Sequence, residues 1–235
     1  MKVAVISDLH LGNGGAVDTF GHDDAEFLSF LTFLERNFER VVLLGDVYET
    51  LTCASPFGQA EEFKRCRAAH SEISKRFEKD QYTFIHGNHD AVAANMVGAG
   101  SQMRLNVDGK RLLFTHGHGF DFVERYASWF NVAGVWLGGW LCRLGLEPIM
   151  RAFDKFDHWQ RGAQVDPRKC KFQKWAVDLA RRQDVDVIVT GHTHQGVVAE
   201  HGDKMFLNSG SCAEGQYSFL SIDTRSGHYA MNHSW

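Results

Sequence analysis

The first half of the chain alternates between short apolar runs and stretches with apolar residues at helical spacing. Residues 2–7 and 40–44 are runs rich in Val, Ile and Leu, and residues 24–38 between them carry apolar side chains every three to four positions. A second helical stretch at 58–78 precedes another apolar run at 82–85. This order predicts a βαβ unit extended by a further helix and strand, and therefore a parallel sheet covered by helices.

Short strands follow one another closely elsewhere in the chain. Residues 103–107 and 111–115 are joined by Asp108-Gly109, a dipeptide typical of two-residue hairpin turns. Asp166-Pro167 is typical of a helix start, and the helix is predicted to end near residue 182. Further strands are predicted at 186–190, 196–199, 204–208 and 217–222. Because no repeat or low-complexity linker separates these elements, we expect one domain over residues 1–235.

Residues 120–165 interrupt the alternation with an aromatic-rich helical pattern. Three of the six Trp lie between positions 129 and 140, and residues 126–142 hold no charged side chain. Gly138-Gly139 within that stretch makes it a poor membrane span, although it is suited to lie on a bilayer. The pattern predicts a helical insertion whose aromatic side chains serve the core, a second subunit, a bilayer or a ligand.

Composition and charge narrow the function classes. With 44% hydrophobic and 23% charged residues, the chain is globular rather than disordered. Five scattered Cys are predicted to be free thiols of a cytoplasmic protein. A formal net charge of −4 argues against a nucleic-acid partner. Residues 143–182 nevertheless hold ten Lys and Arg against five acids, which favours a local anionic partner.

Five polar clusters lie at the ends of predicted strands. They hold six of the thirteen His and combine carboxylate, imidazole and one amide, the ligand types of divalent metals. Loops at the carboxyl ends of parallel strands converge on one crevice, so the clusters are expected to share one site. For His118 a ligand role and a structural role stay open, since His116 already provides an imidazole there. The clusters are Asp8-Leu9-His10, Gly45-Asp46, Gly87-Asn88-His89-Asp90, His116-Gly117-His118 and Gly191-His192-Thr193-His194.

This ordered set resembles the calcineurin-like metallophosphoesterase superfamily at every motif over residues 8–194. The turn Asn208-Ser209-Gly210-Ser211 resembles the family's C-terminal motif more weakly. The resemblance implies an α/β fold, a four-layer αββα sandwich of two mixed sheets, with a helical lid at about residues 120–165. It also implies a metal-dependent phosphoric ester or diphosphate hydrolase.

The resemblance carries specific roles onto residues of this chain. It implies two divalent metal ions, with Mn expected and Fe, Zn or Co as alternatives, and hydrolysis by in-line attack of a metal-bound hydroxide. His89 would donate a proton or hydrogen bond to the phosphate oxygens, and Asp90 would orient the His89 ring. One metal is assigned to Asp8, His10, Asp46 and His194, and the other to Asp46, Asn88, His116 and His192.

The segment from Gly45 to Glu49 resembles a motif of the branch that hydrolyses UDP-2,3-diacylglucosamine in lipid A synthesis. The insertion and Ala213-Glu214-Gly215 resemble that branch as well, whereas His89 replaces the Arg of its best-known members. The implied substrate is an acylated pyrophosphate, with peripheral contact to the cytoplasmic face of the inner membrane.

Two other functions stay open from the sequence. The first is a phosphomonoesterase or phosphodiesterase acting on a soluble nucleotide or phosphoprotein. The second is a non-catalytic binding module that kept the fold.

Overall fold

Two five-stranded mixed sheets face each other across a shared apolar layer. The computed structural model describes residues 1–15, 17–55, 57–120 and 170–235, and the predicted insertion at about 120–165 lies outside them. In the first sheet the strand order is β10-β9-β1-β2-β3, and in the second it is β4-β5-β6-β8-β7. The strands are β1 Lys2–Ile6, β2 Arg40–Leu44, β3 Tyr82–Ile85, β4 Gln102–Val107, β5 Lys110–Thr115, β6 Val187–Thr190, β7 Gly196–His201, β8 Lys204–Ser209, β9 Phe219–Asp223 and β10 His228–Asn232.

Helices cover the outer face of each sheet, which confirms the predicted αββα layering. The helices of the described residues are α1 Asp24–Asn37, α2 Gln59–Ala69, α3 Ser71–Arg76, α4 Ala93–Met96 and α5 Lys171–Arg182, with a 3-10 turn at His118–Phe120. Phe27 and Phe63 of α1 and α2 join the core outside the first sheet, and Phe172 of α5 joins the core outside the second. Val42, Phe114 and other fully buried residues fill the layer between the sheets.

Parallel pairing sets the position of the candidate site. β1 pairs with β2 and β2 with β3 in parallel, and in the second sheet β6 lies parallel to both β5 and β8. The carboxyl ends of these strands therefore meet along one edge of the sandwich. The turns that follow β1, β2, β3, β5 and β6 carry the five predicted clusters.

The structure divides one predicted helix, adds two elements that were not predicted, and confirms one predicted turn. The helix predicted over 58–78 is two helices, α2 and α3, separated at His70, whose ring contacts the Asp24 carboxylate at 2.7 Å. The edge strand β10 and the short helix α4 were not predicted. The Asp108-Gly109 turn is confirmed, since both residues have positive φ, 50° and 72°, as a two-residue hairpin turn of this type requires.

Among the helices described, none is long and apolar enough to span a membrane.

Candidate metal centre

The structure brings six of the seven predicted ligands into two compact groups. Their ligand atoms lie within 4.8 Å of one another in each group. All are buried except His194, which is half-buried. The first group is Asp8, His10 and His194, and the second is Asp46, His116 and His192.

The backbone at this edge is held in a conformation that L-residues rarely adopt. Left-handed φ values occur at Asp8 (53°), His10 (48°), Asp46 (51°), His192 (69°) and His194 (57°). Such strain costs about 1–3 kcal/mol per residue, and it collects at functional sites where neighbouring structure enforces it. Here the amides of Asp8 and His10 donate to the carbonyls of Gly45 and Asp46, both at 3.0 Å. The turn after β1 and the turn after β2 thus hold each other in position through backbone hydrogen bonds.

Two glycines permit the close approach of the clusters. A Cβ at Gly87 would lie 2.1 Å from Asp46 Oδ1, and one at Gly45 would lie 2.4 Å from the His116 ring. The backbone of Gly45 also has a φ of 85°. A side chain at either position would push apart residues of different strands, so glycine is needed for the site to assemble.

Several buried polar atoms of the site form no hydrogen bond, although two of them lie close to an oppositely charged group: His116 Nε2 is 3.1 Å from Asp46 Oδ2, and Asp8 Oδ1 is 3.3 Å from His194 Nε2. They are Asp8 Oδ1, His10 Nε2, Asn88 Oδ1 and His116 Nε2, each on a residue predicted to bind metal. A buried polar atom without a partner is costly, and native proteins satisfy such atoms with a protein group, a water or an ion. The chemistry of this set, two imidazoles with a carboxylate and an amide oxygen, fits a divalent cation.

His116 and His10 each have an Nε2 atom without a hydrogen bond, whereas their other ring nitrogen, Nδ1, contacts a protein oxygen. His116 Nδ1 donates to the Leu44 carbonyl at 2.8 Å. His10 Nδ1 lies 3.2 Å from the Glu49 carboxylate. A hydrogen bond at one ring nitrogen fixes the tautomer and aims the other nitrogen, which is the usual support of a metal-binding His.

Burial and close charges shift the pKa values of the buried carboxylates and imidazoles. Burial alone would raise the pKa of Asp8, yet the neighbouring His194 and His116 lower it to about 2. His116 likewise loses hydration, but Asp46 and Asp8 raise the pKa of its imidazole to about 9. The pKa of Asp46 is held well below its ordinary value by His116 and His89 in spite of burial. The centre is therefore a tight array of opposite charges in a water-poor setting.

His89 forms a third compact group with His10 and Glu49, and its ring is held by the Glu49 carboxylate. His89 Nδ1 lies 2.7 Å from Glu49 Oε2, and the His89 amide donates to Asp46 Oδ1 at 2.8 Å. The Asp90 carboxylate forms no hydrogen bond with the His89 ring, and its role in orienting that ring stays a prediction. The Asp90 carboxylate instead accepts the amides of Val47 at 2.7 Å and Gly87 at 2.6 Å, so it ties two of the turns together.

Glu49 is a residue of the candidate site to which the sequence analysis assigned no chemical role. It is buried, and its carboxylate contacts both His10 and His89. Burial opposes the charged forms, but Glu49 and Asp46 raise the pKa of His89 to about 10. The signal was present in the spacing Gly45-Asp46-x-x-Glu49, which was used only to choose a branch of the family.

His118 belongs to none of the ligand groups formed by the described residues. Its ring centroid lies 5.6 Å from that of His116, and its buried Nδ1 has no hydrogen-bond partner. Burial, with the nearby His116, lowers the pKa of His118 to about 4. The neutral ring thus lines the centre next to His116.

Comparison with known proteins agrees with this geometry. A family model described as calcineurin-like phosphoesterase matches residues 1–196. The UDP-2,3-diacylglucosamine hydrolase of Blochmanniella pennsylvanica (strain BPEN) is 25% identical over 225 residues, which cover 84% of this chain and 81% of that protein. The crystal structure of Vps29 from Chaetomium thermophilum covers 100% of this chain and 93% of its own at a TM-score of 0.51 and 15% identity, a likeness of fold. The chain belongs to the calcineurin-like phosphoesterase family, whose members use divalent metals, and it is a phosphoester hydrolase.

Proposed function

We propose that the protein hydrolyses a phosphate bond at a centre of two divalent cations, with Mn²⁺ as the expected metal. Its proposed substrate is the diphosphate of an acylated nucleotide sugar such as UDP-2,3-diacylglucosamine. The proposed ligands are Asp8, His10, Asp46 and His194 for one cation and Asp46, Asn88, His116 and His192 for the other.

The observation that carries the proposal is the pair of ligand groups, together with the buried ligand atoms that form no hydrogen bond. Asp46 Oδ2 lies 3.1 Å from His116 Nε2. Asp8 Oδ1 lies 3.3 Å from His194 Nε2 and 4.0 Å from His116 Nε2. The two groups are therefore contiguous, which suits a shared carboxylate between two cations. Two such cations, when bound, supply the charge that binds phosphoryl oxygens and lowers the pKa of a bound water.

In this proposal Glu49 and Asp90 position the site, and His89 donates a proton. Glu49 holds Nδ1 of the His89 ring, which leaves Nε2 as the atom that faces a substrate. Because Glu49 keeps the ring protonated, Nε2–H is assigned to donate to a phosphate oxygen or to the leaving oxygen. Asp90 contributes indirectly by fixing the turns that carry Asp46 and His89.

Two independent features support the acylated diphosphate as substrate. One is the match to the hydrolase of Blochmanniella pennsylvanica, whose name gives UDP-2,3-diacylglucosamine as that protein's substrate. The other is the chain's own Trp-rich, uncharged stretch followed by a segment with ten basic and five acidic residues. Apolar and basic surfaces in sequence suit acyl chains and anionic headgroups, and peripheral attachment to the cytoplasmic membrane face is part of this proposal.

The test is a metal-dependent assay of three substrates. Purified protein is stripped with chelator, restored with Mn²⁺, and assayed on UDP-2,3-diacylglucosamine, a generic phosphate monoester and a generic phosphodiester. We expect the diacylated substrate to give the highest kcat/KM, and Asp46→Asn to abolish turnover of all three. Preference for either water-soluble ester would overturn the substrate assignment, and turnover that survives metal removal would overturn the two-cation centre.

A further inference from the structure

Ser7 lies beneath the candidate metal centre, at the end of β1 and directly before Asp8. Its side chain is fully buried, as are those of Asp8 and Ser209. Ser7 Oγ lies 2.5 Å from Asp8 Oδ2, 2.7 Å from Ser209 Oγ and 3.0 Å from the Gly210 carbonyl.

The two oxygens of Asp8 have different surroundings. Oδ2 accepts from Ser7 Oγ and from the His192 amide at 3.1 Å. Oδ1 is buried without a hydrogen bond and faces the imidazoles of His194 and His116. Two donors on one oxygen therefore fix the rotation of the carboxylate and direct the other oxygen into the centre.

The proton count gives the direction of these hydrogen bonds. Ser7 Oγ has one proton and two acceptors within reach, and we assign the proton to the shorter, charge-assisted bond to Asp8 at 2.5 Å rather than to the Gly210 carbonyl at 3.0 Å. Ser209 Oγ likewise has one proton, with Ser7 Oγ at 2.7 Å and the Thr190 carbonyl at 3.2 Å as acceptors. Donation over the shorter distance forms a chain from Ser209 through Ser7 to Asp8. Ser209 ends β8 in the second sheet, whereas Ser7 follows β1 in the first. The chain thus joins the two sheets at the point where their strand ends carry the ligands.

Further contacts hold this junction rigid. The Cys212 amide donates to the Ser7 carbonyl at 3.1 Å, and Ser211 Oγ donates to the Asp8 carbonyl at 3.1 Å. A Cβ at Gly191 would lie 2.6 Å from Ser7 Oγ, so the hydroxyl is enclosed on that side as well. An enclosed donor of this kind is preorganised before any cation binds.

We infer that Ser7, supported by Ser209, is a positioning residue that orients the Asp8 carboxylate toward a divalent cation. The inference rests on the proposed function, because it needs Asp8 to be a ligand. It assigns the segment after β8 to the metal centre, although none of its residues is a proposed ligand. Outer-shell donors of this type typically change metal affinity about 10- to 100-fold when removed.

The experiment compares Ser7→Ala with a matched control, Ser218→Ala. Ser218 is also buried and donates to the Ser209 carbonyl at 3.2 Å, but it has no recorded bond to Asp8. Purified, metal-stripped full-length protein is titrated with Mn²⁺ by calorimetry, and the visible absorption of the Co²⁺ form reports the coordination geometry. We expect Ser7→Ala to weaken binding at one site about 10- to 100-fold and to change the Co²⁺ spectrum. Ser218→Ala should stay within about twofold of wild type, with its spectrum unchanged.

The outcomes separate this inference from the function on which it rests. Wild-type protein that binds no Mn²⁺ would overturn the proposed function. Wild-type protein that binds Mn²⁺ while Ser7→Ala has the same affinity and Co²⁺ spectrum would overturn the inference alone. Equal losses in Ser7→Ala and Ser218→Ala would also overturn it, because they would indicate a merely structural role. If Ser7→Ala does not fold, Ser209→Ala, which removes the hydroxyl that supports Ser7, must change the Co²⁺ spectrum relative to wild type, and an unchanged spectrum would reject the inference.

Discussion

His89 and Glu49 are paired at 2.7 Å at the centre, with side-chain exposures of 20% and 6%. Removal of either partner would leave an uncompensated buried charge, which is strongly destabilising. Glu49 also contacts His10, so one carboxylate links the proposed proton donor to a proposed metal ligand. This arrangement predicts different effects for changes at His89 and at Glu49.

The first prediction concerns that pair. His89→Ala should lower kcat about 10²- to 10⁴-fold, the usual contribution of a positioned acid, while metal content stays at the wild-type level. Glu49→Gln should lower kcat and also weaken metal binding, since it removes the charge next to His10. Steady-state kinetics together with elemental analysis measure both effects. Metal loss in His89→Ala as large as in His116→Ala would contradict the assignment and make His89 a ligand.

At the residue scale, the sequence located the candidate ligands better than their supporting contacts. Six of the seven predicted ligands meet in two groups, although their binding of metal stays a prediction. Asp90 was expected to orient the His89 ring, and that role stays a prediction; its carboxylate accepts the backbone amides of Val47 and Gly87, which the sequence did not indicate. Ser7 and Glu49 carry no metal-binding signature of their own. Their contacts depend on how separate strand ends meet, which spacing alone does not reveal.

At the element scale, His70 interrupts what the apolar pattern predicts as one helix. Its ring contacts Asp24 of α1 at 2.7 Å and lies 3.8 Å from the Asp18 carboxylate. Burial disfavours the charged ring, but hydrogen bonds and charge from these two acids raise the pKa of His70 above its ordinary value. The break between α2 and α3 is thus fixed by an ion pair with another helix.

A pH-dependent stability follows from this ion pair. Because the folded-state pKa is raised, protonated His70 contributes stability that is fully present below about pH 6.5, the unfolded value, and is lost as pH rises through the folded pKa. His70→Gln should therefore reduce the free energy of unfolding more at about pH 6 than at about pH 9. Urea denaturation at both values measures the difference, with the exposed His228→Gln as control. A loss that is equal at both pH values would contradict the assignment.

A second element-scale prediction concerns the start of α1. Asp23 Oδ1 accepts the amides of Ala25 and Glu26, each at 3.0 Å, and so satisfies two donors at the helix N-terminus. Asp23→Ala should reduce the free energy of unfolding by about 1 kcal/mol, whereas Asp23→Ser should retain most of it. Hydrolytic activity should not change, because Asp23 is not part of the proposed centre. Wild-type stability in Asp23→Ala would show that the cap contributes nothing.

The features that were not predicted from the sequence have one physical property in common: none of them produces a long apolar pattern. β10 has an edge position and a half-buried, mixed pattern, so its residues lack the apolar run of a central strand. The helix α4 has four residues, too few for a helical period to appear. The His70 break follows from contacts with distant acids. Central strands and long amphipathic helices were predictable because burial alone dictates their patterns.

At the scale of the whole molecule, two mixed sheets bring their parallel strand ends to a common edge. The αββα sandwich that the family resemblance implies is confirmed by the two mixed sheets and by the helices on their outer faces. The insertion at about residues 120–165 lies outside the described residues, and its role as a lid stays a prediction. The sandwich explains why ligands separated by up to 186 positions, from Asp8 to His194, share one centre.

The most direct test of the account is the metal content and turnover of Asp46→Asn against wild type. Asp46 is the carboxylate assigned to both cations, so its loss removes the link between the two ligand groups. The account predicts about two divalent metal ions per wild-type chain, and in Asp46→Asn a loss of metal together with a drop in kcat of several orders of magnitude. Asp46→Asn protein that keeps both metal ions and wild-type turnover would contradict the dinuclear centre.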